Sequence, residues 1–134
     1  MKAETVVDWL RAEIANHELM LRLADSRISF YSALMNRYKG KTSAKMKSRF
    51  VRCKAERETW AAFRSDMTMA LDRLSDGIDR ALSAYPPAYK KVFRLCLLDG
   101  QSEKDAASAL SMSEEAVNRI LGKLKADLIT FYRP

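Results

Sequence analysis

Between Ser113 and Lys125 the chain reads SEEAVNRILGKLK, and its side chains split into two faces at helical spacing. Val117, Ile120, Leu121, Leu124 and Leu128 recur every three or four residues, as one apolar helix face requires. Glu114, Glu115, Asn118, Arg119, Gly122, Lys123 and Lys125 are left on or near the exposed face. These types suit the edges and backbone of a nucleic-acid duplex. An asparagine carboxamide matches adenine, an arginine fork matches guanine, a glutamate accepts from a cytosine amino group, and lysines suit phosphate. The expected base contacts are Glu115, Asn118 and Arg119. The expected phosphate contacts are Ser102, Ser113, Lys123 and Lys125. Glu114 and Glu115 fall in the first turn, where the helix dipole favours negative charge. They shift the expected contacts about one turn along the helix.

Other chemistries find no support in the residue pattern. Gly40 to Thr42 reads GKT, the end of a phosphate-binding loop, but that motif needs a glycine where Met35 stands and a preceding strand. His17 is the single histidine, and no cluster of His or Cys offers metal ligands. No Ser, Cys or Lys has the partners of an activated nucleophile. The expectation is therefore a non-enzyme with no cofactor and no metal. Cys53 and Cys96 lie far apart in helical patterns and are expected as free, buried thiols.

The net charge is +7 over 134 residues. From Met35 to Arg64 there are ten basic and two acidic residues, whereas the stretch from Pro87 onward holds eight against six. The basic excess thus lies far from the recognition-type helix. Arg37, Lys39, Lys41, Lys45, Lys47, Arg49 and Arg52 form an expected auxiliary patch for phosphates or another polyanion. No apolar run approaches the ~18 residues of a membrane span, and the first residues turn polar too early for a secretory signal. The expected location is the cytoplasm, with no membrane partner.

The elements that must position these groups are all helical. Leu10, Ile14, His17, Leu21, Ala24, Ile28, Tyr31, Met35 and Tyr38 follow spacings of four and three without a break. They predict one helix over about Ala3 to Tyr38, roughly 50 Å long, with a seam that needs a partner helix. A second seam runs through Phe50, Cys53, Arg57, Trp60, Met67, Leu71, Leu74, Ile78 and Ala81. Arg64 takes one seam position and is expected to snorkel outward while Phe63 packs beside it. This helix is predicted over about Ala44 to Ala84, ended by Pro86 and Pro87. The two make an antiparallel hairpin with the basic block at its tip, although the same seams suit pairing between chains. Three shorter helices follow, over about Ala88–Leu98, Glu103–Leu110 and from Glu114. Asp99–Gly100 is a stop, and Ser102 and Ser113 are N-caps. The expected fold is all-α: a long helical hairpin over residues 1–85, an interaction arm, then a three-helix domain over 86–134.

Helix, short turn, helix is the helix-turn-helix plan, with small alanines at 106 and 107 and Met112 in the turn. Ser102, Asp105, Ala107, Leu110, Ser113, Val117 and Leu121 match the pattern of region 4 of bacterial sigma factors, which the last ~50 residues resemble. With the helical N-terminal part, the layout looks like the phage late-gene activators of the ArpU and RinA type. That resemblance implies sequence-specific binding to double-stranded promoter DNA in a bacterial host cell and contact with the host RNA polymerase. A homodimer is a further expectation. Arginines just after the valine are fewer than in region 4, and Gly122 costs about 1 kcal/mol of helix stability relative to Ala. Two alternatives stand beside this reading: a small terminase subunit that recognises packaging-site DNA, and an adaptor that docks on polymerase without reading DNA.

Overall fold

The computed structural model describes the backbone of residues 3–131 and the side chains of residues 6–127. Those residues form α1 (Ala3–Tyr38), α2 (Ala44–Ala81), α3 (Pro87–Val92) running into a π-helical segment (Phe93–Leu98), α4 (Glu103–Leu110) and α5 (Glu114–Phe131). The described residues contain no strand. α1 and α2 are the antiparallel hairpin, and their seams meet within one chain. No described helix is long and apolar enough to cross a membrane.

By packing, the chain forms two compact units, residues 15–73 and residues 1–14 with 74–134. The boundary expected at residue 85 follows the order of elements; the compact units follow contacts, and both long helices contribute to each.

In the unit of residues 15–73, every seam position of α1 from His17 to Tyr38 is buried or half-buried, with Ala24 fully so. On α2, Phe50, Cys53, Arg57, Trp60, Met67 and Leu71 are likewise turned inward. Arg64 is exposed and pairs with Asp25 of α1 at 2.5 Å, while the half-buried Phe63 meets Trp60 edge-to-face. An arginine thus keeps a seam position by sending its charge outward to a carboxylate, as snorkelling requires. The turn between the helices takes Gly40 at φ +75°, a left-handed conformation that costs glycine nothing sterically. Ser43 then caps α2, its Oγ accepting from Met46 N.

In the other unit, α2 stops at Ala81, a turn earlier than expected. The carbonyls of Leu82 and Ser83 would need N–H donors from Pro86 and Pro87, which have none. Leu82 instead accepts from Tyr85 at 3.1 Å, closing a turn. Pro87 then opens α3 at its first turn, where a missing N–H costs nothing. The helix expected through Leu98 changes to wider turns at Phe93, with Asp99 N bonding Arg94 O five residues back. Gly100, at φ +74°, turns the chain toward α4.

Phe93, Val92, Val117 and Leu124 are almost fully buried in one cluster, together with Val6 and Leu10 of α1, Ile78 of α2 and Leu82 in the turn after it. Arg11 fastens the same junction. Its guanidinium donates to the carbonyl oxygens of Leu97 and, at 3.1 Å, of Cys96. These acceptors end the π-helical segment, so Arg11 serves as its C-terminal cap. Cys53 and Cys96 are free and buried, and burial pushes the Cys96 thiol up, with the Glu103 charge adding to it.

Candidate nucleic-acid interface

The turn that sets α5 against α4 rests on three backbone details. Ser102 caps α4, its Oγ accepting from Asp105 N at 3.1 Å. Ser111 ends α4 in the left-handed conformation at φ 55°, and Met112 N then bonds Ala107 O at 2.9 Å. That six-residue closure is the Schellman arrangement, made here with serine where glycine is usual. Ser113 caps α5, its Oγ accepting from Ala116 N at 3.1 Å. Ala106 and Ala107 are buried and let the helices approach closely, and Met112 packs against the core.

Once Val117, Ile120, Leu121 and Leu124 are buried, the opposite arc of α5 is fixed by helix geometry. Glu114, Glu115, Asn118, Arg119, Gly122, Lys123 and Lys125 are all exposed. At ~100° per residue they cover roughly half of the helix circumference. The Leu128 side chain lies outside the described residues.

Glu115, Asn118 and Arg119 come together with Glu103 and Glu114 around one open hollow. Three carboxylates and one guanidinium give it a negative balance. Asn118 Nδ2 donates to Glu103 Oε1 at 3.1 Å and Oε2 at 3.2 Å. Nothing in the spacing of residues flagged Glu103, because it lies 15 positions before Asn118 on a different helix. Ser102 and Lys125 line a neighbouring hollow with Glu103 and Arg11. Lys123 points elsewhere, 3.6 Å from Asp127 one turn on. Asp127 also accepts from the Tyr85 hydroxyl, and Tyr85 stacks on Tyr89 with ring centroids 5.4 Å apart. Burial first, and then that carboxylate, push the Tyr85 hydroxyl up to about 12. In the same unit Asp79 holds Lys90 at 2.9 Å and Arg94 at 2.7 Å, and these bonds depress its carboxyl below the usual range.

The expected auxiliary patch belongs to the other unit. Arg37, Lys39, Lys41, Lys45, Lys47, Arg49 and Arg52 are all exposed around the turn between α1 and α2. Arg49 lies over the Tyr38 ring, 5.9 Å from its centroid. Lys39, Lys41 and Lys47 rim a hollow floored by Tyr38, Phe50 and Val51. Among the described residues no group of His, Cys, Asp and Glu is arranged to hold a metal ion.

A capped helix, a tight left-handed turn and a second helix with an exposed polar arc define a helix-turn-helix unit. Residues 75–128 match the family model of sigma-70, region 4. The match starts in the last turns of α2, and Ile78 of that helix and Leu82 just after it are buried in the same core as α3 to α5. Region 4 is a non-catalytic, DNA-binding helix-turn-helix module of transcription regulation, and residues 75–128 of this chain are similar to it. No curated protein and no solved structure matches the chain.

Proposed function

We propose that this protein is a sequence-specific DNA-binding regulator of transcription that controls late genes of a phage or prophage inside a bacterial host cell. The observation that carries it is the region-4 module at residues 75–128, with Asn118 and Arg119 exposed on the second helix of its turn. α5 enters the major groove, Glu115, Asn118 and Arg119 address base edges, and Ser102, Ser113, Lys123 and Lys125 address phosphates. The carboxylates around Asn118 weaken attraction to phosphate there. The seven cations at the hairpin tip therefore supply much of the sequence-independent affinity. The late-gene assignment, and contact with the host RNA polymerase, rest on the resemblance to phage activators of that layout.

The regulator acts as a homodimer. Asn16, Leu19, Leu23, Ser26, Phe30 and Ala33 continue the spacing of three and four on a face of α1 turned away from the α2 seam, and all are exposed. Leu19 and Phe30 are each 52% exposed, which is unusual on a helix at coiled-coil spacing. Against an antiparallel second copy, Leu19 meets Leu23 and Asn16 meets Ser26, each layer formed twice.

One observation favours an adaptor as second reading: the negative hollow at Glu103, Glu114 and Glu115 suits a basic protein surface better than DNA.

Gel shifts of the full chain on late-promoter DNA of the encoding phage, at several salt concentrations, test the proposal. Binding is expected to fall steeply with salt, with log K dropping by ~0.9 per phosphate contact for each tenfold rise. Replacing Lys39, Lys41, Lys45 and Lys47 by Gln lowers that slope by about 3 to 4 if each lysine neutralises one phosphate. Absence of a bound complex at every salt concentration rejects the proposal in favour of the adaptor.

A further inference from the structure

The bond between Glu103 and Asn118 joins the first turn of α4 to the exposed arc of α5. Its chemistry fixes the orientation of the carboxamide. A carboxylate only accepts hydrogen bonds, so the edge facing Glu103 must be Nδ2, with Oδ1 on the other side. Nδ2 lies at nearly equal distances, 3.1 and 3.2 Å, from the two carboxylate oxygens. Those oxygens are too close together for the two diverging N–H bonds to address one each. One N–H therefore serves both oxygens; with the N–H on the Cβ side in that role, the second N–H lies beside Oδ1 on the edge turned away from Glu103. A donor beside an acceptor is the pair that matches adenine N7 and N6 in the major groove.

We propose that Glu103 is a positioning residue for base recognition: it holds the Asn118 carboxamide so that this one residue selects adenine. This rests on the reading of Asn118 as a base contact. An unheld asparagine presents either edge, and can give its amide to a guanine or thymine acceptor as readily as it reads adenine. Glu103 also places a negative charge beside the duplex, which lowers affinity for every sequence alike. Holding Asn118 and repelling phosphate act in the same direction, toward discrimination at the expense of total affinity.

The two effects separate in variants. Glutamine at 103 removes the charge and leaves an amide that accepts from Nδ2 or donates to Oδ1, so it can hold Asn118 without fixing which edge faces outward, whereas alanine removes the charge and the bond together. Glu103 and Asn118 bond at the surface, outside the buried cluster, and thermal unfolding checks that each variant folds. The test measures binding of the full chain, as wild type, Glu103→Gln, Glu103→Ala and Asn118→Ala, to duplexes from a random-sequence selection and to the same duplexes with each base pair changed. The wild type is expected to prefer adenine at one position by about tenfold or more. Asn118→Ala loses that preference to within twofold. Glu103→Gln keeps part of it, because its amide can pair with either edge of Asn118, and binds all duplexes more tightly, with a steeper salt dependence. Glu103→Ala gains the same general affinity and loses the adenine preference. Full preference in Glu103→Ala, alongside its loss in Asn118→Ala, overturns the positioning role and leaves the reading of Asn118 intact. Preference that survives Asn118→Ala, or no duplex bound by any form, overturns that reading and the positioning role with it.

Discussion

A fragment that begins where the region-4 match begins, residues 75–134, is expected not to fold by itself. The cluster that supports α5 contains Val6, Val7 and Leu10 from α1, exposed by 1%, 6% and 1%. Fully burying an aliphatic side chain of this size contributes about 1.5–3 kcal/mol, so losing three removes roughly 5–9 kcal/mol. Arg11 adds to this. Without it the carbonyls of Cys96 and Leu97 lose a charged donor, a further ~1.5–3 kcal/mol. The whole stability of a domain is about 5–15 kcal/mol, so the loss is comparable to all of it. The assay is urea unfolding followed by far-ultraviolet circular dichroism, with the full chain alongside. Adding residues 1–14 as a peptide is expected to restore helicity in a concentration-dependent way. A fragment 75–134 that unfolds cooperatively at the midpoint of the full chain refutes the reasoning, because it shows that α1 adds nothing to the core.

Three further outcomes follow from particular residues. Ser111→Gly removes the Cβ from a left-handed position and is expected to stabilise the chain by about 0.5–1 kcal/mol in the same denaturation assay, since the relief outweighs the flexibility glycine adds to the unfolded chain. Tyr85 ionises near 10 in an unfolded chain but only near 12 when folded, so its contribution is complete below pH 10 and is lost as the pH rises toward 12. Urea midpoints at pH 9 and pH 11 are expected to fall less in Tyr85→Phe than in the wild type. Leu23→Glu places a charge in the centre of the exposed α1 seam and is expected to convert a dimer to a monomer by light scattering. A wild-type chain that is monomeric at high concentration removes the homodimer.

How far these features were legible in the sequence depends on the range of the interaction that sets them. α1 runs from Ala3 to Tyr38 as its unbroken heptad predicts, and α4 and α5 start at serines whose hydroxyls accept the N–H groups that capping requires. These are local properties, written into neighbouring residues. The exposed arc with Asn118 and Arg119 follows for the same reason, once Val117, Ile120, Leu121 and Leu124 define the buried face. A heptad says that a face is covered but not by what. Leu10 reads as the first member of the seam, yet it is buried in the cluster that contains Phe93 and Val117. The π-helical segment was not legible either, because six residues are too few for periodicity to separate bonds four residues back from bonds five back. Arg11 at the carbonyls of Cys96 and Leu97, and Glu103 at Asn118, link residues 85 and 15 positions apart with no pattern to announce them.

The central claim is that the exposed arc of α5 reads DNA sequence, and selection from random duplexes with the full chain tests it most directly. The wild type is expected to enrich one motif, and the double variant Asn118→Ala with Arg119→Ala to bind duplex DNA through its remaining cations without enriching it. The same motif from both proteins, or none from the wild type, contradicts the account.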